Sequence, residues 1–187
     1  MIARCAERLE RAAPALSDGD SRVSPWSTAA LYERWCALEI CRALGLSDEH
    51  GARLMAGAAV RAPWPGGALI LDAQRTATSP MPLALRPDFT LRVGDRAVHL
   101  DAKYRLDPST RDGGFVRDEL IKMHAYRDAI PGSVGAYALF PGAAEDRIEG
   151  RDARGGVGAL PLRAERDEAL RRAQREALRG VLTELLG

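Results

Sequence analysis

The chain has 187 residues, 46% of them hydrophobic and 28% charged, and its formal net charge is +1. This size and composition predict one soluble globular domain with a real core, whereas the charge neither favours nor excludes a nucleic-acid partner. No apolar run reaches the roughly 18 residues that a membrane helix needs, and the N-terminus carries charges where a signal peptide is apolar. Three cysteines have no metal-ligand spacing and leave one unpaired. We therefore expect a cytoplasmic protein that does not contact a membrane.

The N-terminal segment is predicted to be separate from the main domain. A helix is expected over about residues 2–13, and a polar linker covers residues 17–21. We expect residues 1–24 to form this helix and linker, and residues 25–187 to form the domain that carries the function.

The next segment predicts two helices. The first begins at Ser24-Pro25 or at Ser27-Thr28, since serine caps helices and proline is tolerated at the first position. It continues to Leu44, with Gly45 as a natural C-terminal stop. Ser47 is expected to cap a shorter helix that ends near Ala56.

Strands follow a break rich in proline and glycine. Residues 68–72, 88–93 and 96–103 have the apolar or alternating pattern of strands. Gly94-Asp95 joins the last two, and glycine at the first central position suits a type II′ hairpin.

The second half of the chain continues the mixed order of elements. Because a helix separates the second hairpin strand from the next strand, those two strands should be parallel, whereas the hairpin is antiparallel. The sequence therefore predicts an α/β fold with a mixed central sheet flanked by helices. The elements expected here are a helix over 116–130, a strand over 134–140, an exposed loop over 145–156, a strand over 157–162 and an Arg-rich helix over 164–185.

The hairpin places two carboxylates together. If Gly94-Asp95 is the loop, Asp88 lies opposite Asp101, with Cβ atoms roughly 4.5–5.5 Å apart, and like charges so placed are destabilising. Lys103 projects from the same face as Asp101. A divalent metal would make this arrangement favourable. The alternative is an ordinary hairpin with a solvated Lys–Asp pair.

The same residues carry a resemblance to a known family. With its αβββαβ order, the chain resembles the PD-(D/E)XK nuclease superfamily, which has a restriction-endonuclease-like core. Five short sequence blocks are similar to those of McrC-like nuclease subunits of McrBC-type, modification-dependent restriction systems. The blocks are residues 31–36 (LYERWC), 86–89 (RPDF), 100–105 (LDAKYR), 121–130 (IKMHAYRDAI) and 137–142 (YALFPG).

The resemblance implies a metal-dependent active site. Its catalytic residues would be Glu33, Asp88, Asp101 and Lys103. Mg²⁺, with Mn²⁺ as a substitute, would be held by Asp88, Asp101, the backbone carbonyl of Ala102 and Glu33. Lys103 would orient or deprotonate the attacking water, or stabilise the developing charge.

Glu33 also stands out in the helical pattern. It lies on one face of the predicted helix, where the other residues are apolar. Such a carboxylate tends to be buried, and a buried carboxylate needs a partner. The alternatives to a metal ligand are a salt bridge with Arg34 or Arg86, and Glu39 competes more weakly for the same role.

The helix over 116–130 offers substrate contacts. Lys122 and Tyr126 share a face, where related nucleases carry a Gln-x-x-x-Tyr pair, so lysine here replaces glutamine. We expect Lys122, Tyr126 and Arg127 to bind substrate. His124 is expected to be structural, and His99 shares the strand parity of Asp101 without a defined role.

Base specificity is expected from loops, at residues 75–85 and 145–156. The arginines of the C-terminal helix are interpreted as its solvated face, with contacts to the DNA backbone as the alternative.

The predicted function is a Mg²⁺-dependent endonuclease that hydrolyses phosphodiester bonds of DNA in restriction or phage defence. The alternative is a catalytically silent nucleic-acid-binding or assembly module on the same fold. The expected partners are DNA, a motor NTPase subunit and a second copy of the chain.

Overall fold

The computed structural model describes residues 27–77, 84–104 and 117–187. The predicted segment 1–24, with its helix and linker, lies outside these residues. In chain order the elements are α1 (Thr28–Ala43), α2 (Asp48–Met55), β1 (Val60–Trp64), β2 (Gly67–Ala73), β3 (Phe89–Val93), β4 (Arg96–Ala102), α3 (Arg117–Ala129), β5 (Ser133–Phe140), a 3-10 turn (Ala144–Asp146), β6 (Ile148–Asp152), β7 (Gly155–Pro161) and α4 (Glu168–Leu186).

The signals at the ends of α1 act as the sequence predicts. Ser27 is the N-cap, and its hydroxyl accepts a hydrogen bond of 3.2 Å from the Ala30 N–H. Of the two predicted starts, the one at Ser27 is therefore confirmed. Gly45 follows the helix with a φ of +78°, a conformation that favours glycine.

The central hairpin has the predicted register. Val93 pairs with Arg96 and Phe89 with Leu100, so each pair sums to the same index. Gly94 has a φ of +59°, which the first central position of a type II′ turn requires.

The seven strands form one mixed sheet in the order β1-β2-β3-β4-β5-β7-β6. The pairs β4–β5 and β5–β7 are parallel, and the others are antiparallel. Helix α3 connects the parallel strands β4 and β5. The predicted mixed sheet with β4 near its centre is therefore confirmed.

Helices cover both faces of this sheet. Apolar residues of α1, α2 and α4 form one core with Val98 and Leu100 of β4. Helix α3 packs on the other face, where its Met123 and Tyr126 meet residues of β5 and β7. Because side chains alternate along a strand, Asp101 lies on the α3 face. The architecture agrees with the predicted restriction-endonuclease-like αβββαβ core.

Two regions differ from the sequence prediction. Residues 60–64 form strand β1, although Pro63 suggested a break; β1 is an edge strand, where a missing N–H is tolerated. The prediction of an exposed loop over 145–156 is wrong, because Ile148–Asp152 is strand β6, paired with β7. This strand is at the other edge and mostly exposed, so it lacks the apolar alternation that marks a half-buried strand.

Helix α4 begins later than predicted. Asp167 caps it, and its carboxylate accepts a hydrogen bond of 2.8 Å from the Ala169 N–H. Within the described part of the chain, no helix is both long and apolar enough to cross a membrane.

Candidate active site

Asp88 and Asp101 meet where β3 begins and β4 ends. Phe89 pairs with Leu100, so the preceding Asp88 faces Asp101, as the hairpin register predicts. Asp88 Oδ2 accepts a hydrogen bond of 2.7 Å from the Ala102 N–H. Hairpin register and this hydrogen bond together fix the two acidic residues beside each other.

Asp101 is fully buried and surrounded by donors. Lys103 Nζ lies 2.5 Å from its Oδ2. Lys122 Nζ, from α3, lies 3.1 Å from Oδ2 and 3.3 Å from Oδ1. The Tyr126 hydroxyl lies 3.4 Å from Oδ1 and donates to the Arg86 carbonyl at 3.0 Å. The predicted residues Lys103, Lys122 and Tyr126 therefore all converge on one carboxylate.

The pKa of Asp88 reflects the electrostatics of the acidic pair. Burial and the neighbouring Asp101 carboxylate raise the pKa of Asp88 to about 7, and the Ala102 N–H and the Lys103 ammonium only partly oppose this rise. A fully buried carboxylate beside a second one is a donor set that fits a divalent cation.

The protein supplies few ligands for such an ion. Among residues 27–77, 84–104 and 117–187, no three His, Cys, Asp or Glu side chains lie close enough together to hold a metal. Two carboxylates still suit Mg²⁺, which keeps several waters and is bound by one or two carboxylates together with substrate phosphates. The residues present therefore fit a divalent-metal site with two protein carboxylates.

Glu33 reaches this site through an intermediary. Its carboxylate accepts a hydrogen bond from Gln74 Nε2, and Gln74 Oε1 accepts one from the Arg86 guanidinium. The Gln74 N–H donates to the Asp88 carbonyl at 2.8 Å. The structure thus links Glu33 to the segment that carries Asp88, without bringing it into a three-carboxylate cluster.

Gln74 is the residue that sequence reasoning missed. It follows β2 with a φ of +50°, and no other non-glycine residue in the described ranges has a positive φ. Such backbone strain persists only where the surroundings hold it, and it is frequent at functional sites. No composition or spacing signal marks this glutamine, because its role depends on the approach of α1 to the end of β2.

Arg127 is not brought to the cluster. It is 5% exposed, and its guanidinium pairs with Asp128 at 2.8 Å and with Asp152 of β6 at 3.1 Å. His124 is exposed and its Nδ1 lies 3.4 Å from this guanidinium. Both residues belong to the contact between α3 and the β6 edge.

Two other candidates occupy structural positions. Glu39 is buried and pairs with Arg42 at 2.5 Å and with Arg175 of α4 at 2.6 Å, so it ties α1 to α4. His99 is buried beside Thr90, whose Oγ1 lies 3.0 Å from its Nδ1.

Comparison with known proteins agrees with this geometry. No curated protein matches the chain. A family model of the PD-(D/E)XK nuclease superfamily matches residues 69–145. This stretch runs from β2 to the 3-10 turn and contains Asp88, Asp101, Lys103, Lys122 and Tyr126, whereas Glu33 precedes it. Over this stretch the chain is therefore similar to the PD-(D/E)XK nuclease superfamily, and the fold and the site agree with that similarity.

Proposed function

We propose that the chain is a metal-dependent endonuclease that hydrolyses phosphodiester bonds of DNA. The observation that carries this proposal is the convergence of Asp88, Asp101 and Lys103 at the adjoining ends of two antiparallel strands. The match to the PD-(D/E)XK superfamily over the same residues supports it independently.

Asp88, Asp101 and the backbone carbonyl of Ala102 would hold Mg²⁺, or Mn²⁺ in its place. When bound, the ion would polarise the phosphate and make water more acidic. Glu33, held by Gln74 beside the Asp88 segment, would act as an outer carboxylate of this site or close on it when substrate binds. Oxygen donors from the substrate phosphate would supply further ligands.

The basic residues have separate tasks in this proposal. Lys103 is 21% exposed and lies between Asp101 and Glu119, so its ammonium is positioned to stabilise negative charge that develops on the phosphate. Lys122 is 40% exposed on α3 and would contact a substrate phosphate. Tyr126, bonded to the Arg86 carbonyl, would keep α3 in place over Asp101. Arg127 would serve as a scaffold residue rather than a substrate contact, because both its partners are carboxylates outside the site.

The biological setting follows from the resemblance of the five sequence blocks to McrC-like subunits. We propose a cytoplasmic role in restriction or phage defence, with a motor NTPase subunit as partner and DNA cleavage by paired copies of the chain. A nuclease that depends on a motor would show weak activity alone.

Cleavage assays on supercoiled, linear and single-stranded DNA test the proposal. Wild-type protein would be compared, with Mg²⁺ or Mn²⁺ and with EDTA, to Asp101→Asn and Lys103→Met. Asp95→Asn is the matched control, because Asp95 is exposed at the opposite end of the same hairpin. We expect cleavage that requires metal, persists in Asp95→Asn and is lost in the other two variants.

Metal binding separates the remaining outcomes. Mn²⁺ binding by the wild type but not by Asp101→Asn, without cleavage of any DNA, would indicate a competent site that needs its partner. Absence of both cleavage and Mn²⁺ binding would refute the proposal and leave a nucleic-acid-binding or assembly module.

A further inference from the structure

Both lysines of the chain form an ion pair with the same carboxylate. Of 27 basic residues only Lys103 and Lys122 are lysines, and the others are arginines. Both ammoniums lie on Asp101, Lys103 at 2.5 Å and Lys122 at 3.1 Å. An ammonium is a compact charge on a flexible stem, and it can leave a carboxylate more easily than a bidentate guanidinium.

The two lysines differ in what else holds them. Lys103 has a second carboxylate partner, Glu119, at 3.6 Å. Within the described ranges, Lys122 pairs with no carboxylate other than Asp101, and its side chain is 40% exposed. Its Nζ also lies 5.2 Å from the centroid of the Tyr126 ring, at the rim of the site. Lys122 is therefore the ammonium with an open path to solvent.

Lys122 and a divalent cation would compete for the same atoms. The Lys122 ammonium spans both oxygens of Asp101, at 3.1 and 3.3 Å. A cation on either oxygen would repel this ammonium and take over its role of neutralising a buried carboxylate.

We propose that Lys122 is an exchangeable counter-ion that couples metal binding to nucleic-acid binding. The inference rests on the proposed nuclease function and adds a regulatory role for this residue. Without metal, the ammonium neutralises Asp101 and weakens the affinity for a divalent cation. When the cation binds, Lys122 is released to the rim, where it contacts a phosphate of the substrate. Metal and nucleic acid then favour each other's binding, and the coupling is reciprocal.

Mn²⁺ affinity, followed by the electron paramagnetic resonance signal of the free ion, tests this coupling. It would be measured for the wild type, Lys122→Met and the control Arg61→Met, with and without a short phosphorothioate duplex that resists hydrolysis. Without the duplex, we expect Lys122→Met to bind Mn²⁺ at least about fivefold more tightly than the wild type, the lower end of common coupling factors.

The duplex provides the second comparison. It should tighten Mn²⁺ binding more in the wild type than in Lys122→Met, whereas Arg61→Met, the matched control, should keep the wild-type tightening, because Arg61 is an exposed basic residue of the edge strand β1. Equal Mn²⁺ affinity in wild type and Lys122→Met, or equal tightening by the duplex, would overturn the inference while leaving the nuclease proposal intact. No Mn²⁺ binding by any of the proteins would overturn both.

A measurement on the unaltered chain avoids any effect of substitution on folding. Lysine labelled with ¹³C at Cε gives signals from two residues only. We expect the signal absent from the Lys122→Met spectrum to shift on addition of Mg²⁺ and to shift again on addition of the duplex. A Lys122 signal that Mg²⁺ leaves unchanged would contradict the exchange.

Discussion

The carboxylate of Asp88 accepts a hydrogen bond of 2.7 Å from the backbone N–H of Ala102, the residue between Asp101 and Lys103. This bond extends the β3–β4 pairing by a side-chain contact, at the point where two acidic residues face each other. It stabilises the charged form of Asp88, but burial and the Asp101 carboxylate outweigh it and raise the pKa of Asp88 to about 7. The charged form of Asp88 is therefore disfavoured in the protein alone, and a bound cation would stabilise it.

The first prediction concerns Asp88→Asn and pH. In the wild type without metal, the folded state binds a proton at Asp88 up to about pH 7, whereas the unfolded state releases it near 3.8. This group thus makes stability fall as pH rises through that window. We expect the unfolding free energy of Asp88→Asn to exceed that of the wild type increasingly from pH 4 to 8, by ~1–3 kcal/mol at the upper end. Denaturant unfolding in EDTA measures it.

Asp95→Asn is the control for Asp88→Asn, since it removes an exposed carboxylate from the same hairpin. The unfolding free energy of Asp95→Asn should differ little from that of the wild type, and this difference should not change with pH. Saturating Mg²⁺ should reduce the advantage of Asp88→Asn, because the ion stabilises the carboxylate of the wild type. An advantage that stays constant from pH 4 to 8 would contradict the assignment.

The second prediction uses the backbone of Gln74. Its φ of +50° is costly for alanine but not for glycine. We therefore expect Gln74→Ala to unfold with about 1 kcal/mol less free energy than Gln74→Gly. Both variants lose the hydrogen bonds to Glu33 and Arg86, so both should cleave DNA about 10- to 100-fold more slowly than the wild type, the usual effect of losing an outer-shell contact.

The comparison separates stability from positioning. A merely structural role for Gln74 would make activity follow stability, and Gln74→Gly would then be the more active variant. Equal activities with unequal stabilities are the expected result. Full activity in either variant would show that Glu33 does not need this contact.

The third prediction compares two glutamates of α1. Glu39 is buried between Arg42 and Arg175, and its removal leaves these two guanidiniums only their other, more exposed carboxylate partners. We expect Glu39→Ala to lose ~3 kcal/mol of unfolding free energy and to keep the wild-type cleavage rate per folded molecule. Glu33→Gln should do the opposite, with stability within ~1 kcal/mol of the wild type and cleavage slowed at least about tenfold. Equal effects of the two on cleavage would reject the separate roles.

The hairpin shows how far local sequence patterns reach. Gly94 fixes the turn, the turn fixes the register, and the register places Asp88 opposite Asp101, so this half of the site follows from sequence spacing alone. The same logic fails for β1 and β6. These edge strands carry Pro63 or exposed polar residues, and their pairing depends on neighbours that spacing does not specify.

The tertiary contacts of the site are harder to predict. Helical spacing puts Lys122 and Tyr126 on one face, but only the packing of α3 on β4 shows that both reach Asp101. Arg127 is the neighbouring residue, and the one-residue step along the helix directs it to Asp152 instead. Gln74 gives no signal, because a strained backbone conformation after a strand is set by the partners that hold it.

The fourth prediction concerns His99, on the same sheet face as Asp101. Burial, and then the Arg92 guanidinium, lower the pKa of His99 to about 4. The unfolded chain binds a proton at this residue below about pH 6.5, whereas the folded state binds one only near pH 4. His99 therefore makes stability fall as pH decreases from 6.5 to 4.

The contribution of His99 to the unfolding free energy is opposite in sign to that of Asp88 and covers an overlapping pH range. The two contributions therefore largely cancel in the wild type. In Asp88→Asn only the contribution of His99 remains, so the unfolding free energy of this variant should rise with pH between about 4 and 6.5. Adding His99→Asn, which places an amide near the position of Nδ1 beside Thr90, should flatten that rise. Nitrogen NMR signals of the His99 ring should also stay in the neutral form down to pH 5. A ring that titrates near 6.5 would mean that burial does not control its charge, and the double variant would then keep the slope of Asp88→Asn.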